Sequence, residues 1–133
     1  MKYMLDTNIL IYLLKNQYKS VELHMRHVPS GDIVIPSVVI AELEFGAQNS
    51  NHYEKSIKVI RRLVNEFEVA NFEKEDAFYY GKVRAELKRQ GKMIGANDLL
   101  IGAMSLRRDM ILVTHNKKEF SRIEGLMIED WTE

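Results

Sequence analysis

The chain has 133 residues and no cysteine. That absence excludes disulfides, thiolate metal sites and cysteine nucleophiles, and it is compatible with a reducing interior. Net charge is missing as well: 19 basic side chains balance 19 acidic ones. A globally basic nucleic-acid coat is therefore excluded, and any phosphate-binding face has to be local. No apolar run approaches the roughly 20 residues of a membrane span, and no signal-peptide pattern precedes the first strand, so a cytoplasmic location away from membranes is the expectation. Histidine is sparse, and His24, His27, His52 and His115 show no paired ligand spacing. A metal held here would be hard and bound by oxygen.

What is present reads as one domain over residues 1–133, built from strands alternating with helices. Lys2 to Leu5 is a short apolar strand that runs into Asp6-Thr7-Asn8 and then a very apolar helix to Lys15. A second helix is expected over 20–28, then a turn at Pro29-Ser30-Gly31 and a β-branched strand over 32–35 that Pro36 interrupts. Ser37 is placed to cap a helix over 38–48. Its stripe is Val39, Leu43 and Ala47, with Ile40 and Gly46 beside it, which puts Glu42 next to the packed face. Ile57, Ile60, Leu63, Val64 and Phe67 form one face of an amphipathic helix, and 68–72 is a candidate third strand. The helix over 74–90 is expected to bury Ala77, Tyr80, Val83 and Leu87, and to carry Lys82, Arg84, Lys88, Arg89 and Lys92 toward its carboxyl end. That basic segment suits either a solvated helix end or a phosphate-steering face. Asn97 or Asp98 caps a helix that is apolar on nearly all sides and hence central. Met110 to Thr114 is a strand that ends in Thr114, His115 and Asn116, with Glu119 one turn on. Met127-Ile128 forms a last edge strand, and Trp131 covers one end of the core.

The alternation implies a mainly parallel sheet with helices on both faces, whose strand ends share one edge. Asp6, Glu42 and Asp98 then have one property in common: each is an acid at or beside the end of a buried element. Carboxylates gathered at one edge repel each other unless a cation neutralises them, which points to Mg²⁺ or Mn²⁺. Such a site can activate water and hold a phosphodiester without a catalytic histidine.

Several stretches, in this order, resemble the PIN-domain ribonucleases, and most closely the VapC-type toxins of toxin–antitoxin pairs. They are Met4-Leu5-Asp6-Thr7-Asn8, Ser37 through Glu42 to Gly46, Ile94-Gly95-Ala96-Asn97-Asp98, Thr114-His115-Asn116 with Phe120, and Gly125 through Glu129-Asp130-Trp131. The resemblance implies a three-layer α/β/α fold with a mainly parallel sheet of four to five strands, and a Mg²⁺-dependent endoribonuclease acting on tRNA or another structured RNA. It also implies a VapB-type antitoxin partner that contacts operator DNA, and a homodimer. By position, Asp6, Glu42 and Asp98 become the metal-site acids, with Thr7 and Asn8 supporting the first. Many PIN domains have an Asp where this chain has Asn116, and Glu119 is the candidate to supply the missing carboxylate. Two other readings stay open at this level: a catalytically degenerate module that binds RNA or protein through the same edge, and a phospho-receiver, which lacks its expected acids here.

Overall fold

The computed structural model describes the whole chain, Met1–Glu133. Five short strands, β1 (Tyr3–Leu5), β2 (Ile33–Pro36), β3 (Glu68–Ala70), β4 (Ile111–Val113) and β5 (Met127–Glu129), form one sheet in the order β3-β2-β1-β4-β5. Every neighbouring pair is parallel. Parallel neighbours require crossovers, and helices supply them: α1 (Thr7–Leu14), α2 (Lys19–His27), α3 (Ser37–Gln48), α4 (Tyr53–Glu66), α5 (Lys74–Gln90), α6 (Ala96–Arg107) and the single-turn α7 (Lys117–Phe120). The three-layer α/β/α arrangement expected from the sequence is what forms.

The inner strands are apolar on both faces because helices cover both. Met4, Leu5, Ile33, Val34, Ile35, Leu112 and Val113 are all fully buried. From β1 the chain pairs outward to β2 and β3 on one side and to β4 and β5 on the other. The strand order therefore reverses beside β1, and the crevice outside its carboxyl end is where open sheets of this kind bind ligands. Trp131, 1% exposed, closes the far end of the core. Its indole N–H donates to Glu129 Oε1 at 3.0 Å, and its ring packs on Tyr3 and stacks on His24. No helix is long and apolar enough to cross a membrane.

Some local expectations are corrected. Pro36 ends β2 and occupies the cap position of α3, so Ser37 is the first helical residue and caps nothing. This suits proline, whose missing N–H is no loss at a helix start. On α4, Ile57, Ile60, Leu63 and the following Phe67 are buried, but Val64 is 41% exposed at the edge of the stripe. Gly46 and Ala77 are exposed. Ala77 is exposed because α5 packs chiefly against the central helix α6, and of the expected face only Leu87 is fully buried.

A buried charge that the apolar pattern did not announce ties this helix pair together. Asp76 is fully covered at the rim of the molecule, by side chains and not by deep core. Its carboxylate accepts from Arg107 Nε at 2.5 Å, Arg108 Nη1 at 2.6 Å and the Glu73 N–H at 2.7 Å. Burial alone would push the Asp76 carboxyl up, and these donors together hold it below its ordinary value. The amino end of α5 is thus clamped to the carboxyl end of α6. The short turn Gly91–Gly95 then brings the basic end of α5 to the start of α6, with Gly91 in the left-handed region at φ 66°.

Candidate active site

Asp6 begins where β1 stops. Its N–H donates to the Val113 carbonyl at 3.1 Å, so the β1–β4 ladder continues into the residue and fixes it at the sheet edge. From the cap position of α1 its Oδ1 accepts the Ile9 N–H at 3.1 Å. The residue is only 5% exposed. Burial pushes its carboxyl up, as do the charges of Glu42 and Asp130, while the Thr114 hydroxyl and the Ile9 N–H pull it down; the net direction is upward.

Glu42 reaches the same place from α3. The stripe of Val39, Leu43 and Ala47 buries the helix and leaves Glu42 half-buried at its border, where Thr7 Oγ1 donates to Oε1 at 2.9 Å. A cleft of about 410 Å³ opens here, lined by residues that include Thr7, Asn8, Glu42 and Asn97.

Asp98 comes from α6. Neither it nor Asn97 is the cap: Gly95 holds that position, Asn97 is exposed and Asp98 is the third helical residue. A Cβ at Gly95 would stand at an ordinary 3.8 Å from Asp98 Oδ2, so the space beside the carboxylate does not require glycine. The helix start favours an anion, yet the Asp98 carboxyl is pushed up to about 6, by burial first, then by Glu119, Asp6 and Glu42. Negative charge at this edge therefore exceeds what the fold neutralises.

The structure separates the two candidates for the fourth position. Glu119, on α7, is half-buried and is the strongest charged neighbour of Asp98. Asn116 enters through its backbone, its N–H donating to Thr114 Oγ1 at 3.0 Å, with no side-chain bond to the acids. Thr114 is fully buried, accepts the Asn116 N–H and holds the Asp6 carboxyl down; the sequence had singled it out only as a polar strand end. Its signal was a hydroxyl closing an otherwise apolar run. The structure thus makes Asp6, Glu42 and Glu119 charged neighbours of Asp98, with no hydrogen bond from the Asn116 side chain to any of them.

None of these four carboxylates is in an ion pair. An all-oxygen, anionic donor set without its own cation fits a hard divalent ion. No three acidic or histidine side chains close into a cage. At the rim, Lys88 and Lys92 are exposed near the start of α6, whereas Arg89 is paired with Glu86 and Arg84 with the Tyr80 hydroxyl.

Residues 3–126 match the family model described as "PIN domain". The chain is 39% identical over 132 residues to the tRNA(fMet)-specific endonuclease VapC of Shigella flexneri, covering 99% of each. Among solved structures, it superposes on VapBC-1 of nontypeable Haemophilus influenzae with a TM-score of 0.92 and 42% identity over the full length of both chains. It matches VapBC2 of Rickettsia felis, bound to a DNA fragment from its promoter, equally well in TM-score, 0.92, at 36% identity over 98% of this chain and 99% of that one.

Proposed function

The chain belongs to the PIN-domain family, and from that premise we propose that it is the ribonuclease toxin of a type II toxin–antitoxin pair, cutting phosphodiester bonds in tRNA with a divalent metal ion, Mg²⁺ or Mn²⁺. The observation that carries this reading is the gathering of four carboxylates that lack a cation, with Asp98 held up at about 6. Asp6, Glu42 and Asp98 are the residues that would hold the ion, with Glu119 completing the group. When bound, the ion lowers the pKa of a water and screens the phosphate charge.

The chain's own residues do the rest. The Ile9 N–H orients the Asp6 carboxylate, and the Thr114 hydroxyl favours its charged form. Thr7 holds Glu42 through one carboxylate oxygen, Oε1, and leaves the other without a hydrogen bond from the protein. Asp98, buried and beside Glu119, retains a proton to higher pH than an ordinary carboxyl, and a bound cation would favour its charged form. Lys88 and Lys92 supply a local positive rim for the RNA backbone in a chain with no net charge.

The partner is a VapB-type antitoxin, through which the pair reaches operator DNA, and the toxin acts as a homodimer in the cytoplasm. Support for an inhibitory peptide comes from a groove of about 490 Å³ that begins at Glu42 and runs between α1, α3 and α4 along Leu14, Leu43, Ala47 and Ile60. An apolar segment laid there, ending in a cation, would reach the carboxylates. Induced expression of the chain should stop growth, and Asp6→Asn should restore it with the protein still accumulating in folded form. Growth arrest of equal strength by folded Asp6→Asn would overturn the reading.

A further inference from the structure

Beside the carboxylates the same sheet edge carries three rings that the chemistry above leaves unused. Tyr12 on α1, Tyr18 just before α2 and His115 after β4 come from separate segments and meet. Tyr12 and Tyr18 pack edge-on with centroids 4.8 Å apart, and His115 stands 6.2 Å from the first and 6.0 Å from the second. Asp6 and Asp130 are both charged neighbours of Tyr12, and His115 follows directly on Thr114, which braces Asp6. The cluster therefore adjoins the proposed cleavage site.

Core packing accounts for the inner edges of the two tyrosines, which lie half-buried against the main cluster. It does not account for His115. The imidazole is 50% exposed, yet its Nδ1 is 3.0 Å from Oδ2 of Asp130, a carboxylate only 2% exposed. Thr132 Oγ1 lies 3.0 Å from the same nitrogen, and Asp130 in turn accepts both the Thr132 N–H and its hydroxyl. A surface ring is thus fixed in place before any ligand arrives, which lowers the ordering cost of binding to it.

We propose that Tyr12, Tyr18 and His115 form a stacking platform for an unpaired nucleobase of the RNA, next to the phosphate that is cut. This rests on the nuclease reading above. Sequence-tolerant recognition of single-stranded RNA uses such rings, histidine included, because every base presents a π-face. A base suits this place better than a phosphate does: the charged group in contact with the cluster is the Asp130 carboxylate, which repels an anion and leaves a neutral aromatic ring unaffected.

The test uses a single-stranded oligoribonucleotide carrying one 2-aminopurine, whose fluorescence falls on stacking, bound to the full chain with Asp98→Asn to prevent cleavage. Adding Tyr18→Ala or His115→Ala should weaken binding about 5- to 150-fold, the equivalent of about 1–3 kcal/mol per stacked base, and return the fluorescence. Tyr18→Phe should retain both affinity and quenching, because it keeps the ring; His115→Phe, which leaves Asp130 Oδ2 without its partner, should keep the quenching at an affinity between wild type and His115→Ala. Unchanged binding in the alanine variants overturns the platform. So does equal loss in the phenylalanine variants, which would show that polar contacts and not rings matter, and so does loss of antitoxin binding without loss of RNA binding. The two readings fail separately: wild-type protein that quenches the probe but cuts no tRNA defeats the nuclease and leaves the platform standing.

Discussion

Replacing Asp98 by Asn removes one negative charge from the carboxylate group at nearly constant shape, and the structure dictates opposite effects on stability and on function. A carboxyl pushed up to about 6 from an ordinary 3.8 is costly to ionise in place. At about 1.4 kcal/mol per tenfold in proton affinity, the penalty at neutral pH is at most about 3 kcal/mol. Asp98 is half-exposed, and solvent screening brings this down to about 1 kcal/mol. For a chain of this length that is a rise in melting temperature of about 3–5 °C in Asp98→Asn over wild type, at pH 7.5 in chelator. The order then reverses. Saturating Mg²⁺ or Mn²⁺ stabilises wild type by about 2.7 kcal/mol at a hundredfold excess over Kd, and the variant, having lost a ligand, much less. Scanning calorimetry of both proteins, with chelator and with metal, reads all four values. A metal-free variant that melts below wild type, or one that keeps the full metal-induced rise, refutes the reasoning.

The same carboxyl sets a pH dependence. Its folded value lies above the unfolded one, so between about 4 and 6 the folded state holds a proton that the unfolded state has lost. Metal-free stability from this group therefore falls as pH rises through that window, while metal stabilisation grows; thermal shifts by Mg²⁺ should be larger at pH 7 than at pH 5, and a flat profile would contradict this. Thr7→Val removes the hydroxyl that holds Glu42. Metal affinity should fall about 10- to 100-fold with the melting temperature within a few degrees of wild type, as read by metal titration of cleavage rate. Asp76→Ala removes the carboxylate that Arg107 and Arg108 share but leaves both arginines paired with Glu73, and urea unfolding should show a loss of about 1–3 kcal/mol; an unchanged stability would show the clamp to be idle.

The sheet was legible because its strands are short runs of Met, Leu, Ile and Val bounded by polar residues, and the alternation with helices left few topologies. The acids Asp6, Glu42 and Asp98 were legible for the same reason: each interrupts an apolar pattern. What local pattern could not carry was pairing across the sheet. That Glu119 and not the Asn116 side chain sits against Asp98 depends on the turn of α7, and the bracing by Thr114 depends on the β1–β4 register. The Asp76 clamp was missed because its arginines lie 31 and 32 residues away in the chain, and no local pattern pairs them. The caps at Pro36 and Gly95 were missed because preferred capping residues stood one to three places further on, and the tertiary fold began each helix earlier.

The most direct measurement is to incubate the purified chain, freed of any co-purifying small protein, with total tRNA in Mg²⁺, in Mn²⁺ and in chelator, beside Asp98→Asn. The account predicts a few discrete tRNA fragments that require metal and vanish in the variant. Intact tRNA under both metals, from folded and monodisperse protein, would contradict it.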